Sequence, residues 1–118
     1  MSAIGVARGV LVDALPRVQV GTRVPNPRPS RFVRIVRTGG PKGRVTDRPL
    51  LVVECWAEDS VQAEADADRV HEALRMAPNF GPWAGGWVSV WECLSIADYP
   101  DPDVKQSRFT VTGYLTVI

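Results

Sequence analysis

His71 is the only histidine among 118 residues, and neither a general base nor a zinc site finds the partners it needs around it. The pair His71-Glu72 lacks the second histidine four residues on that a metalloprotease helix requires. With Glu72 and Arg75 beside it on a helix, His71 reads as a solvated or interface position. Cys55 and Cys93 lie inside apolar, strand-like runs and read as two buried free thiols. Two cysteines and one histidine fall short of the usual zinc ligand set. The run Gly39-Gly40-Pro41-Lys42-Gly43-Arg44 has the composition of a phosphate loop. It fits neither the Walker spacing nor the dinucleotide fingerprint, and no helix follows it to aim an N-terminus at phosphate. Asp98, Asp101 and Asp103 offer carboxylates in one loop, but their spacing departs from the EF-hand and Pro100 and Pro102 favour a rigid turn. Trp56, Trp83, Trp87, Trp91 and Tyr99 beside many arginines raise base stacking, yet there is no RRM signature and the acidic second half repels nucleic acid. A core and a protein interface account for the tryptophans more economically. The residues thus call for no enzyme, no cofactor and no metal.

The elements that position these side chains follow from periodicity. Ile4, Ala7, Leu11, Ala14 and Leu15 recur at helical intervals, so residues 2–15 read as an amphipathic helix capped by Ser2 and ended before Pro16. Residues 18–22 read as a short strand, and Pro25, Pro27 and Pro29 then hold an extended connector passing over a surface. Phe32 to Arg37 and Leu50 to Ala57 have the length and the β-branched content of strands. Between them, Thr38 to Pro49 is a glycine-rich basic loop longer than a tight hairpin needs. On the paired strands Arg34 and Glu54 share a face and are expected to neutralise each other.

Residues 59–77 form the clearest helix, capped by Asp59 with Gln62 returning the bond and stopped by Pro78. Its narrow stripe of Ala63, Ala67, Val70, Leu74 and Ala77 suits close packing on a sheet. Glu64, Asp68 and Glu72 form an acidic ridge on its outer side. Strand-like runs at 87–97 and 108–118 follow, the second alternating Phe109, Val111, Leu115 and Val117 inward. Gly113 falls on that inward face, where a bulge or the close approach of a helix would require it. The expected fold is α+β: a single domain over 1–118, with a mostly antiparallel sheet of four to five strands and two main helices packed on one face.

The net charge of +1 conceals a polarity along the chain. Up to residue 50, only Asp13 and Asp47 oppose Arg8, Arg17, Arg23, Arg28, Arg31, Arg34, Arg37, Lys42, Arg44 and Arg48. Beyond it, Arg69, Arg75, Lys105 and Arg108 face Glu54, Glu58, Asp59, Glu64, Asp66, Asp68, Glu72, Glu92, Asp98, Asp101 and Asp103. Either the halves neutralise each other within one fold, or a basic face of one copy meets an acidic face of the next, the head-to-tail arrangement that closes rings. On the second account the contact residues are Arg34 and Arg37, the loop residues Gly39, Gly40, Lys42, Arg44, Asp47 and Arg48, the ridge Glu64, Asp68 and Glu72, and Asp101, Asp103 and Arg108 near the last strand. No apolar run approaches the roughly 20 residues that span a bilayer, and the first residues lack a secretory pattern. A soluble, intracellular protein with no membrane partner is expected.

Four segments in order carry a family resemblance: PRPSRFVRIVRTGG (27–40), VTDRPLLVVECWA (45–57), AEADADRVHEALR (63–75) and PDPDVKQSRFTVTGYLTV (100–117). Their order and spacing resemble the tail terminator, or tail completion, proteins of long-tailed bacteriophages, those of actinobacterial hosts in particular. The resemblance implies a sheet flanked by helices, and six copies closing into a ring on the head-proximal end of the tail tube. The ring would stop tube polymerisation and present a surface to the head. Implied partners are further copies of the chain, the major tail tube protein and the head-tail connector, with DNA only as cargo passing through the ring. The implied location is the virion tail, assembled in the cytoplasm of the bacterial host. The family has no catalytic residues to carry over, and assembly contacts are implied for the Thr38–Pro49 and Asp98–Ser107 loops. The alternatives are another head-tail joining protein or, from a different class, a small nucleic-acid-binding module.

Overall fold

A computed structural model describes residues 2–118. Helix α1 spans Ala3–Ala14; the Ser2 hydroxyl accepts the Gly5 N–H, and Leu15 closes the far end. The strands are β1 (Gln19–Gly21), β2 (Phe32–Gly39), β3 (Leu50–Ala57), β4 (Val88–Asp98) and β5 (Ser107–Val117). Helix α2 (Ser60–Met76) joins β3 to β4 and runs into a single 3-10 turn over Ala77–Asn79. The five strands make one sheet in the order β1-β2-β3-β5-β4, every pair antiparallel except β1 with β2. This is the α+β, mostly antiparallel architecture expected.

The parallel β1 pair is possible because the proline-rich connector supplies the crossover that a parallel return needs. It passes over the face of the sheet that bears no helices. There the Arg28 guanidinium stands 5.1 Å from the Phe32 ring centre and 4.7 Å from that of Trp56. Arg28 also donates to Gln106 Oε1 at 2.6 Å, and Gln106 Nε2 returns to the Pro29 carbonyl at 2.8 Å, tying the connector to the β4–β5 loop.

Both helices pack on the opposite face. The core joins Val33 and Ile35 of β2, Leu51, Val53 and Cys55 of β3, and Phe109, Val111, Leu115 and Val117 of β5 to the helices. From α2 come Ala63, Ala67, Val70 and Leu74, with Ala77 just beyond, all buried as the small-residue stripe required. From α1 the buried side is Ala3, Val6, Ala7, Val10 and Leu11. This places the contact line one position away from Ile4 and Ala14, which are half-buried.

Several expectations are corrected in detail. Gln62 does not complete a capping box: Asp59 accepts the Gln62 N–H at 2.8 Å, but the Gln62 side chain reaches forward to Asp66 Oδ1 at 3.1 Å. Cys55 is buried as expected, whereas Cys93, on the outermost strand, is only half-buried; both are free thiols. His71 is half-buried, and its Nδ1 accepts the Trp91 indole N–H at 3.1 Å. Of the two readings of Gly113, the bulge holds and the close helix does not. A Cβ there would collide with the Glu92 carbonyl oxygen and lie 2.7 Å from the Trp91 ring. The β4 ladder slips its register between Cys93 and Ser95, opposite this point.

Candidate assembly surface

The basic residues proposed for contacts fall into two groups, those paired inside the fold and those left outside it. Arg34 lies directly across from Glu54 on the helix-free face, its Nη1 3.2 and 3.3 Å from the two carboxylate oxygens. Glu54 also accepts the Trp56 indole N–H at 3.2 Å, and the Arg108 guanidinium lies 3.9 Å away. Arg108 is clamped further: it stacks at 4.8 Å over both Trp56 and Tyr99 and donates Nε to the Tyr99 carbonyl at 2.6 Å. A carboxylate among two guanidiniums and an indole is satisfied, although the buried Arg34 Nε finds no acceptor among the described residues.

The Gly-rich segment is built, not loose. β2 runs two residues past Arg37, and the chain turns at Gly40, where φ is +95° and a Cβ would collide with the Arg48 carbonyl and the Leu50 amide. Only glycine fits both demands. Arg37 reaches back over this turn, donating to the Gly39 and Gly40 carbonyls at 3.1 and 3.0 Å and pairing with Asp47 at 2.9 Å. Asp47 is buried, and its backbone exchanges two hydrogen bonds with Val117, at 2.9 and 2.7 Å. Asp47 and Arg37 therefore hold the loop to the end of β5. Arg48 lies 4.0 Å over the Tyr114 ring and donates to Glu92 Oε1 at 3.0 Å.

What projects from this platform is the tip. The Gly43 N–H donates to the Thr46 carbonyl at 2.8 Å, closing a turn that presents Lys42, Arg44 and Val45. Lys42 is 3.9 Å from Asp47 and largely exposed, Arg44 makes no ion pair among the described residues, and Val45 is 75% exposed.

On α2, Glu64 and Asp68 are exposed and unpaired among the described residues, while Glu72 is gripped by Arg75 at 2.6 and 3.0 Å. The hydrogen bonds from Arg75 hold the Glu72 carboxyl below the usual carboxylate range. Asp101 turns inward to cap the Asp103 N–H at 3.0 Å, leaving Asp103 exposed. The structure thus brings Arg37, Gly39, Gly40, Lys42, Arg44, Asp47 and Arg48 together at one end of the sheet, and Arg34 and Arg108 around Glu54. It leaves the α2 ridge and the Asp101–Asp103 loop as separate features.

Of the ion pairs that went unread in the sequence, the most buried carboxylate belongs to Asp66. Asp66, buried on α2, accepts two hydrogen bonds from Arg31, at 2.8 and 2.6 Å. Its helical spacing from Ala63 and Val70 was the available signal. Together with Leu15, Arg17, Gln62 and Arg69 the pair lines an open concavity of about 320 Å³ beside the end of α1. Among the described residues, no three His, Cys, Asp or Glu side chains are placed to hold a metal ion.

No family model matches the sequence, and no curated protein matches it. Seven chains of solved structures match the fold. One of them is a chain of the "Virion of native gene transfer agent (GTA) particle", similar to this chain with a TM-score of 0.63 over 92% of this chain and 84% of that one, at 17% identity. At that identity the likeness is one of fold, and it extends over nearly the whole α+β domain.

Proposed function

We propose that the chain is a structural component of a phage-like virion and, more specifically, the tail terminator: a ring of copies, six by the family resemblance, capping the head-proximal end of the tail tube. The observation that carries this is the fold shared with the gene transfer agent virion chain over 92% of the residues. The surface agrees with it. Arg28, Arg31, Arg34, Arg37, Arg48 and Arg108 are engaged with partners in their own chain. A nucleic-acid groove would instead offer such cations to phosphate. The cationic tip at 42–45 and the unpaired acids Glu64, Asp68 and Asp103 remain as complementary contacts, and self-association through unlike patches is what closes a ring.

Native mass measurement and negative-stain microscopy test the proposal. A discrete closed ring is expected, weakening with added salt, and a strict monomer at high concentration and low salt overturns it. A neighbouring head-tail joining role is the second reading, since the likeness is to a chain of a whole virion particle. Adding the purified protein to polymerising tail tube protein separates the two: a terminator halts elongation, and a connector does not.

A further inference from the structure

The two edges of the sheet are treated very differently. An open edge strand exposes unpaired backbone groups and is normally blunted. β1 is blunted three ways: it is three residues long, Arg8 donates its Nε to the Val20 carbonyl at 3.0 Å, and three prolines soon follow. β4 has eleven residues, VSVWECLSIAD, with no proline, glycine, lysine or arginine. Along it Leu94, unpaired at the bulge, is 60% exposed, and Val90 and Ile96, which lie on opposite faces of the sheet, are exposed on either side of it.

Two features of β4 indicate what fits there. Its ladder slips register at Val88/Val90 and again at Cys93/Ser95. Such bulges kink and twist an edge, so a second β4 cannot zip along it in a long straight ladder, whereas a compact turn can seat beside it. Its free charges are of one sign: Glu92 is engaged by Arg48, while Asp98 at the end of the strand and Asp101 and Asp103 beyond it make no ion pair among the described residues, and no base comes between them in the chain. The complement is an apolar side chain flanked by cations on a turn, and the chain carries one in Lys42, Arg44 and Val45.

We infer that the Lys42–Val45 tip of one copy docks on the Leu94 segment of β4 in a second copy, Val45 against Leu94 and the two cations toward the Asp98–Asp103 acids. This rests on the ring reading and deepens it by naming the contact. Repeated head to tail, it pairs each basic tip with the next acidic edge, and it covers the one unguarded strand of the sheet.

The full chain in a Cys93→Ser background, carrying Val45→Cys, Leu94→Cys or both, tests this under mild oxidation. Mixing the two single variants is expected to give a covalent dimer that neither gives alone, and the double variant a ladder running beyond the dimer. A Leu94→Cys chain linking to itself means that β4 meets β4, and overturns the docking. An oligomer of normal native mass without a 45–94 link overturns the docking and leaves the ring standing. A double-variant ladder that stops at the dimer upholds the contact and overturns head-to-tail closure. A strictly monomeric chain overturns both.

Discussion

Arg31 holds Asp66 by two parallel hydrogen bonds, 2.8 and 2.6 Å long, across the gap between the foot of β2 and helix α2. The carboxylate side chain is 3% exposed and the guanidinium 38%. The pair therefore has a solvated side and a sealed one, and removing either partner has a different cost. Arg31→Ala strands a buried charge, and with water able to reach part of the site the loss should fall below the range for fully buried pairs, at about 2 kcal/mol. Urea unfolding measures it. Arg31→Met with Asp66→Leu is expected to recover most of that loss, because no charge is then left buried.

Arg37 and Arg44 separate folding from assembly. Arg37→Glu sets a carboxylate against buried Asp47 and releases the Gly39 and Gly40 carbonyls, so the monomer itself is destabilised, by about 3 kcal/mol. Arg44→Glu, with no internal partner to lose, is expected to leave the unfolding midpoint of the monomer within about 0.5 kcal/mol of the parent. Its effect should appear in native mass spectra, as a fall in oligomer population.

Gly113→Ala places a methyl group into the Glu92 carbonyl and the Trp91 ring. Trp91 must shift, and with it the hydrogen bond to His71 that ties β4 to α2. The expected cost is about 2 kcal/mol, within the range for overpacked cores. Tryptophan fluorescence should change in the folded state, and thermal unfolding should report the loss.

The thiols should differ sharply toward iodoacetamide. Cys93, half-buried on the outer strand, is expected to be alkylated in the native protein, and Cys55 only on unfolding. Burial pushes the Cys55 thiol well above its ordinary range, with the nearby Asp66 and Glu54 carboxylates adding to the shift. The folded chain keeps a proton that the unfolded chain gives up. Stability from this group is therefore complete below the ordinary thiol range near ~8.5 and declines as pH rises above it. Labelling followed by intact mass, repeated across pH, checks both statements.

Much of the fold was legible because local pattern and burial coincide. β3 has the bounds its β-branched run suggests, α2 buries the stripe its spacing predicts, and β5 alternates as read. What could not be read depends on distant partners. The parallel pairing of β1 is decided by where the connector crosses, and the closure of the loop by Val117 pairing with Asp47, seventy residues earlier. The candidate site suffered most from this. The Arg34–Glu54 pair was legible from the strand register, but a list of arginines does not show which others find carboxylates at home, so Arg37 and Arg108 looked as available as Arg44. Asp66 was hidden by the opposite bias, since a carboxylate between alanines on a helix reads as surface until Arg31 is seen to reach it.

The position of β5 between β3 and β4 has a kinetic consequence. β4 has no sheet neighbour except β5, and β3 meets β5 only across the whole of α2 and β4. Neither half of the sheet is complete without this one strand, so no part of it can be retained as a stable fragment. Its hairpin with β4 is local, but its pairing with β3 spans 50 to 64 residues, which favours slow, all-or-none completion of the sheet. A chain made this way is finished or not folded at all.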